Sequence, residues 1–162
     1  MPRIDFSQLP DDARVWVFGA SHPISADGET DLLNSVDAWL DQWSAHGVPL
    51  TCARDWSHGR FLVVGVDQRS AGASGCSIDA LFRVLQQVQG TLGTSFLGGS
   101  RVFYRNEEGQ LTCAERAEFA SAPGIDAATR VFDTAVTTAA DYRSRFELSL
   151  GECWHAALRV RG

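Results

Sequence analysis

Residues 50–67, LTCARDWSHGRFLVVGVD, carry the pattern from which the rest of the fold is inferred. Leu50–Asp55 and Arg60–Asp67 are strand-like runs, and Ser57-His58-Gly59 between them is a hairpin turn signal. Upstream, Leu32, Leu33, Val36, Trp39, Leu40 and Trp43 recur at the spacing of one helical face. Ser25 is placed to cap that helix, and Asp27 and Glu29 put negative charge in its first turn. His46-Gly47 is expected to end it, with Gly47 in the left-handed position and Pro49 blocking continuation. Further upstream, Arg14–Phe18 (RVWVF) reads as a buried strand. Downstream, a small-residue loop, Ser70–Gly75, leads into a second helix starting near Cys76. That helix carries Ile78, Leu81, Phe82, Leu85, Val88 and Leu92 on one face, with Gly93 after it.

The first hundred residues therefore read β-α-β-β-α. One more strand completes a ferredoxin-like split βαβ, and Arg101–Arg105, reached through Gly98-Gly99, is the candidate. The expected class is α+β: a ferredoxin-like core over residues 1–100 and a small β-rich C-terminal appendage over 101–162, packed with the core or standing alone. In the appendage, Asn106–Gly109 reads as a hairpin turn and Gln110–Cys113 as its second strand. Glu115–Ala120 reads as a short helix, Pro123–Asp126 as a turn and Thr129–Phe132 as a strand.

Composition narrows the chemistry. The chain has 162 residues, enough to bury about two-thirds of its unfolded surface without a metal or disulfide staple. Net charge is −6, which argues against nucleic acid or an anionic membrane as partner. All 14 basic residues are Arg. Without lysine there is no Walker A motif, no Schiff base and no Ser-Lys dyad. No apolar run approaches the roughly 18 residues of a membrane span, and the MPRIDF start lacks a signal-peptide core, so the cytoplasm is the expected compartment. The four cysteines are scattered without C-x-x-C, as free thiols would be. His155 beside Cys153 could form a metal corner with Cys76 or His46, but no Cys/His pair has zinc-finger spacing, and neither a metal nor a cofactor is expected.

Several segments together resemble an uncharacterised family of bacterial proteins of about this length. They are Leu9-Pro10, Arg14-Val15-Trp16, Trp43–Leu50, Arg60-Phe61, Ala73–Asp79 (ASGCSID, the most specific) and Trp154-His155. Members often carry the label "ABC transporter ATPase", which a lysine-free chain does not support. The resemblance implies a fold relationship. Residues 102–148 also resemble the small bacterial GYF-like module, through Phe103-Tyr104, Gly109, Glu118-Phe119, Gly124-Ile125 and Thr129–Phe132. That resemblance implies binding of a protein partner.

In a split βαβ the end of the first helix and the start of the second share one sheet edge. That edge would gather His46, Ser74, Gly75, Cys76, Ser77 and Asp79, with Arg14 nearby. Cys76 at a helix N-terminus would have a lowered thiol pKa, His46 could take its proton and Asp79 orient the imidazole, giving a Cys76–His46–Asp79 catalytic reading. Arg14, Ser74, Gly75 and Ser77 would hold an anion or small molecule. The structural alternative is equally concrete: Ser74 or Ser77 as N-cap, Asp79 paired with Arg83, His46 capping carbonyls, and Cys76 buried and inert. Two functions follow. The preferred one is a non-enzymatic binding or adaptor protein with a protein partner and a homodimer through the open sheet or its edge. The other is a small-molecule or anion-binding protein, or a thiol-dependent enzyme, with its site at the Ser74–Asp79 helix start near His46.

Overall fold

In the computed structural model, which describes residues 3–45, 47–71, 78–96 and 101–159, Arg14–Gly19 forms strand β1 and Ala26–Gln42 helix α1. Ser25 caps α1, its hydroxyl accepting from the Gly28 N–H at 3.1 Å. The helix stops earlier than its apolar spacing suggests. Trp43 is its extended C-cap, and the chain turns into a two-residue ribbon, Ser44–Ala45 (β2) with Val48–Pro49 (β3). Gly47 uses its φ of 79° between those strands, not in a helix C-cap. Leaving the helix lets Trp43 bury its ring to 6% exposure, 4.6 Å from Trp39 and 6.0 Å from Trp16.

The hairpin comprises Cys52–Ser57 (β4) and Phe61–Val66 (β5). His58 and Gly59 both have positive φ, 57° and 65°, and the Arg60 N–H closes the turn on the Ser57 carbonyl. β5 pairs antiparallel with β4 and with β1, so the strand order is β1-β5-β4. As the central strand it is buried along its whole length, which accounts for FLVVGV having no polar side chain. After the short helix Gln68–Ala71 (α2) comes Asp79–Leu92 (α3), with Ile78 as N-cap and Gly93, φ 68°, as left-handed C-cap. Helix α3 thus starts later than the expected position near Cys76.

One sheet face carries Phe18, Leu62, Val64, Val66 and Cys52. It packs against Leu32, Val36 and Leu40 of α1 and Leu81 and Leu85 of α3. The opposite face is closed by the N-terminal segment. Gly65 is glycine because a Cβ there would lie 2.6 Å from Leu9 Cδ1 and 3.3 Å from the Phe6 ring. Residues 135–142 also belong here: Val15 N–H donates to Thr137 O, Ala139 N–H to Ala13 O, and the Tyr142 hydroxyl donates to Asp55 at 2.7 Å. The chain accordingly divides into unit 1, Met1–Leu97 with Ala135–Tyr142, and unit 2, Gly98–Thr134 with Arg143–Gly162. The expected division at residue 100 thus needs correction for residues 135–142, which return to the first unit.

Unit 2 contains Arg101–Arg105 (β6), Leu111–Glu115 (β7), helix Arg116–Ser121 (α4) and Arg130–Phe132 (β8). Helix Ala139–Arg145 (α5) runs across the division, and Glu147–Ser149 (β9) follows. The sheet order is β7-β6-β8-β9, all antiparallel. Here the sequence reading is corrected again. Arg101–Arg105 is not a fourth strand beside β1; it is the strand between β7 and β8. Beside β1 there is instead a single bridge, Arg14 with Thr138. In unit 2, Val102, Phe119, Val131 and Leu150 form one buried cluster with Tyr104 and Ile125 packed on it, and Phe103, Phe132 and Phe146 are buried as well. The protein is α+β, and no helix among the described residues is long and apolar enough to cross a membrane.

Candidate functional site

A cleft of about 540 Å³ lies in unit 2 between the β6–β7 turn and the loop before β8. Its walls are set by local hydrogen bonds. Asn106 accepts at Oδ1 from the Glu108 and Gln110 N–H groups, and Gly109 turns the chain with φ 81°. Across the cleft, Asp126 Oδ1 accepts from Ala128 N–H at 2.8 Å, and Asp126 N–H donates to Thr129 Oγ1 at 3.0 Å. The loop is tied down behind by Leu150 N–H on Thr129 O and Gly151 N–H on Ala127 O. A second hollow of about 200 Å³ adjoins it, lined by Tyr104, Pro123 and Ile125 and sharing Asn106, Glu107 and Gly124 with the first.

The sheet register supplies the charges. One step beyond the Tyr104–Val131 pair, β6 ends at Arg105 and β8 begins at Arg130. Two guanidinium groups side by side would repel, and Glu147 on β9 lies between them. Arg105 Nε is 2.8 Å and Arg130 Nε 3.6 Å from its Oε2. Glu107 lies across Gly124, whose φ of 76° and missing Cβ leave room for that side chain. The arrangement can orient charged and hydrogen-bonding groups. Among the described residues it shows no nucleophile–base pair.

The sequence-predicted site is only partly visible. His46, Ser74, Gly75, Cys76 and Ser77 lie outside the described residues. Arg14 is exposed at the start of β1, its guanidinium 4.9 Å from the Trp16 ring centroid. Asp79 is exposed at the first position of α3, and the expected pair with Arg83 does not form; in water such a contact is worth little. The sheet order puts the start of β1 and the end of β5, which feeds α3, at one sheet end, since Arg14 pairs with Val66.

A different Cys–His contact does occur. Cys153 Sγ and His155 Nδ1 are 2.8 Å apart, and both residues are buried. Burial raises the thiol pKa and lowers the imidazole pKa, so both groups are held neutral and the pair is a hydrogen bond, not a thiolate–imidazolium nucleophile. Trp154 beside them is 43% exposed but fixed: its Nε1 donates to Asp133 and its ring stacks on His155.

Against protein-family models, curated proteins and solved structures, the chain has no match. The GYF-like order marks Gly109, Gly124-Ile125 and Thr129–Phe132, which line or flank this cleft. Arg105 and Glu147, which meet Arg130 here, are marked by no motif and lie far apart in the chain. The legible signal was strand-end arginines flanking the Asn106–Gly109 and Pro123–Asp126 turns.

Proposed function

We propose that this protein is a binding or adaptor protein, and that the cleft of unit 2 holds an extended peptide segment of a protein partner. The observation that carries this reading is the cleft itself: turn-braced walls, charged groups on two sides and an adjoining hollow lined by Tyr104, Pro123 and Ile125. Such a surface offers orientation without a catalytic group. The GYF-like order of Phe103-Tyr104, Gly109, Glu118-Phe119 and Gly124-Ile125 supports it. Thr112-Cys113 stands where that pattern has Gly-Pro, and Phe146 where it has a late Trp, so a polar cleft rather than an aromatic proline groove is the binding surface. For unit 1 we take a ferredoxin-like scaffold lacking its fourth strand. The order of first, third and second strands with two helices on one face supports it. We also propose the cytoplasm as its compartment, where cysteines that form no disulfide, as Cys52, Cys113 and Cys153 do not, are ordinary.

The test is to pan a random displayed-peptide library on the intact protein and measure affinities of the enriched peptides. Ala128 is an exposed residue of the cleft wall, so Ala128→Trp fills the cleft without disturbing a core. Enriched peptides should lose affinity by about tenfold or more in Ala128→Trp. No enrichment, or peptides indifferent to Ala128→Trp, would overturn the reading.

A further inference from the structure

The two arginines of the cleft are not equivalent. Arg105 is committed: its Nε bonds Glu147 at 2.8 Å, its Nη1 donates to the Gly109 carbonyl at 3.2 Å, and its guanidinium is 5.3 Å from the Phe132 ring centroid. Arg130 is held loosely, with Nε 3.6 Å from Glu147 Oε2 and Nη2 donating to the Glu147 carbonyl at 3.2 Å. Its side chain is 47% exposed, and its Nη1 has no partner among the described residues. Two guanidinium charges share one carboxylate there, which leaves a positive excess with spare donors.

The rim carries the opposite sign. Glu107 lines both hollows, and neither it nor Asp126 is in an ion pair with a described residue. A ligand with only negative charges would meet Glu107 and Asp126, and one with only positive charges would meet Arg130. A ligand carrying both signs satisfies both walls.

We propose that the cleft selects peptides bearing an acidic side chain for Arg130 and a basic side chain for Glu107, set close together along an extended segment. The proposal rests on the peptide-binding reading of the same cleft. It names the recognised feature as a charge pair, neither proline nor a single phosphate-like anion. The contacts are partly exposed, so the selectivity should weaken as salt rises.

The experiment pans the same random library on the wild-type protein, Arg130→Gln and Glu107→Gln, with far-UV circular dichroism to confirm that each variant is folded. Arg130→Gln removes the charge without placing a second carboxylate beside Glu147. Wild-type peptides should carry both signs. Arg130→Gln should lose the acidic preference and bind wild-type-selected peptides about tenfold more weakly, and Glu107→Gln should lose the basic preference alone. Enriched peptides that respond to Ala128→Trp but to neither charge variant would overturn the charge-pair selection and leave the peptide cleft standing. Peptides that are acidic only, responding to Arg130→Gln and not to Glu107→Gln, would overturn it in favour of simple anion recognition. A library that yields nothing dependent on Ala128→Trp would bring down the cleft reading and this one with it.

Discussion

In unit 1, α1 brings Leu32, Val36 and Leu40 to zero exposure, and β5 is buried from Phe61 to Val66. In unit 2 the longest strands among the described residues, β6 and β7, have five residues, and its buried apolar residues include Val102, Phe103, Phe119, Val131, Phe132, Phe146 and Leu150. Side chain–main chain and ion-pair ties do much of the remaining work there: Asn106 in its turn, Asp126 in its loop, Glu147 between two arginines, and Arg159 Nη1 on the carbonyls of Phe119 and Ala122. Long periodic faces bury hydrocarbon efficiently and leave few polar groups to present. Short elements joined by turns expose backbone and charge, and this is where a binding cleft can be built. On the function proposed above, unit 1 is the scaffold and unit 2 the part that meets a partner.

The largest test of that contrast pairs one core truncation in each unit. Leu40→Ala should cost about 2–5 kcal/mol and Phe119→Ala about 3–5 kcal/mol. Trp16, Trp39, Trp43 and Trp56 lie in unit 1, so a Trp154→Phe background makes tryptophan fluorescence report unit 1 alone. In urea titrations of that background, Leu40→Ala should shift the midpoint much more than Phe119→Ala. Equal shifts would mean that the chain unfolds as one block and that the two units are not separate in stability. A middle-sized effect sharpens the picture of the unit 1 scaffold. Gly65→Ala should cost about 1–3 kcal/mol, because its Cβ would press on the buried Leu9. Leu9→Ala in the same chain should recover part of that loss, and strict additivity of the two changes would sink the assignment.

The smallest effect is a pH dependence from two buried groups of unit 2, His155 and Cys153. Burial lowers the His155 pKa, so the unfolded chain binds this proton more readily than the folded one. The stability this contributes is present above about pH 6.5, the unfolded value, and is lost as pH falls toward the folded value. For Cys153 the sign reverses. Its raised pKa means stability present below about pH 8.5 and lost as pH rises through the folded value. Urea midpoints followed by circular dichroism should therefore fall on both sides of neutrality. His155→Gln should flatten the acid limb only, and an acid limb of unchanged slope would show that other groups control it.

Much of unit 1 was legible because helices α1 and α3 and strands β1, β4 and β5 are long enough for apolar periodicity to identify them. Ser25 capped α1 as its position implied, and Gly93 capped α3. Local pattern was less exact at the end of α1: the helix stops at Gln42, and Trp43, its C-cap, is buried beside Trp16 and Trp39. The expected edge site was legible only as a set of residue types, and of its members Arg14 and Asp79 alone are described.

The α+β class, the central hairpin with its turn at His58-Gly59 and the lack of any lysine-based chemistry follow from residue identity and spacing within short windows. The partner of Arg101–Arg105 does not. A strand's edge carries the same backbone donors and acceptors whichever sheet it joins, and here β7 and β8 flank it. Only the tertiary structure returned residues 135–142 to unit 1, through main-chain bonds to Ala13 and Val15 and through Tyr142 on Asp55. The same holds for the cleft. Arg105, Arg130 and Glu147 meet because antiparallel register converts distant strand ends into neighbours, and no local pattern encodes that register.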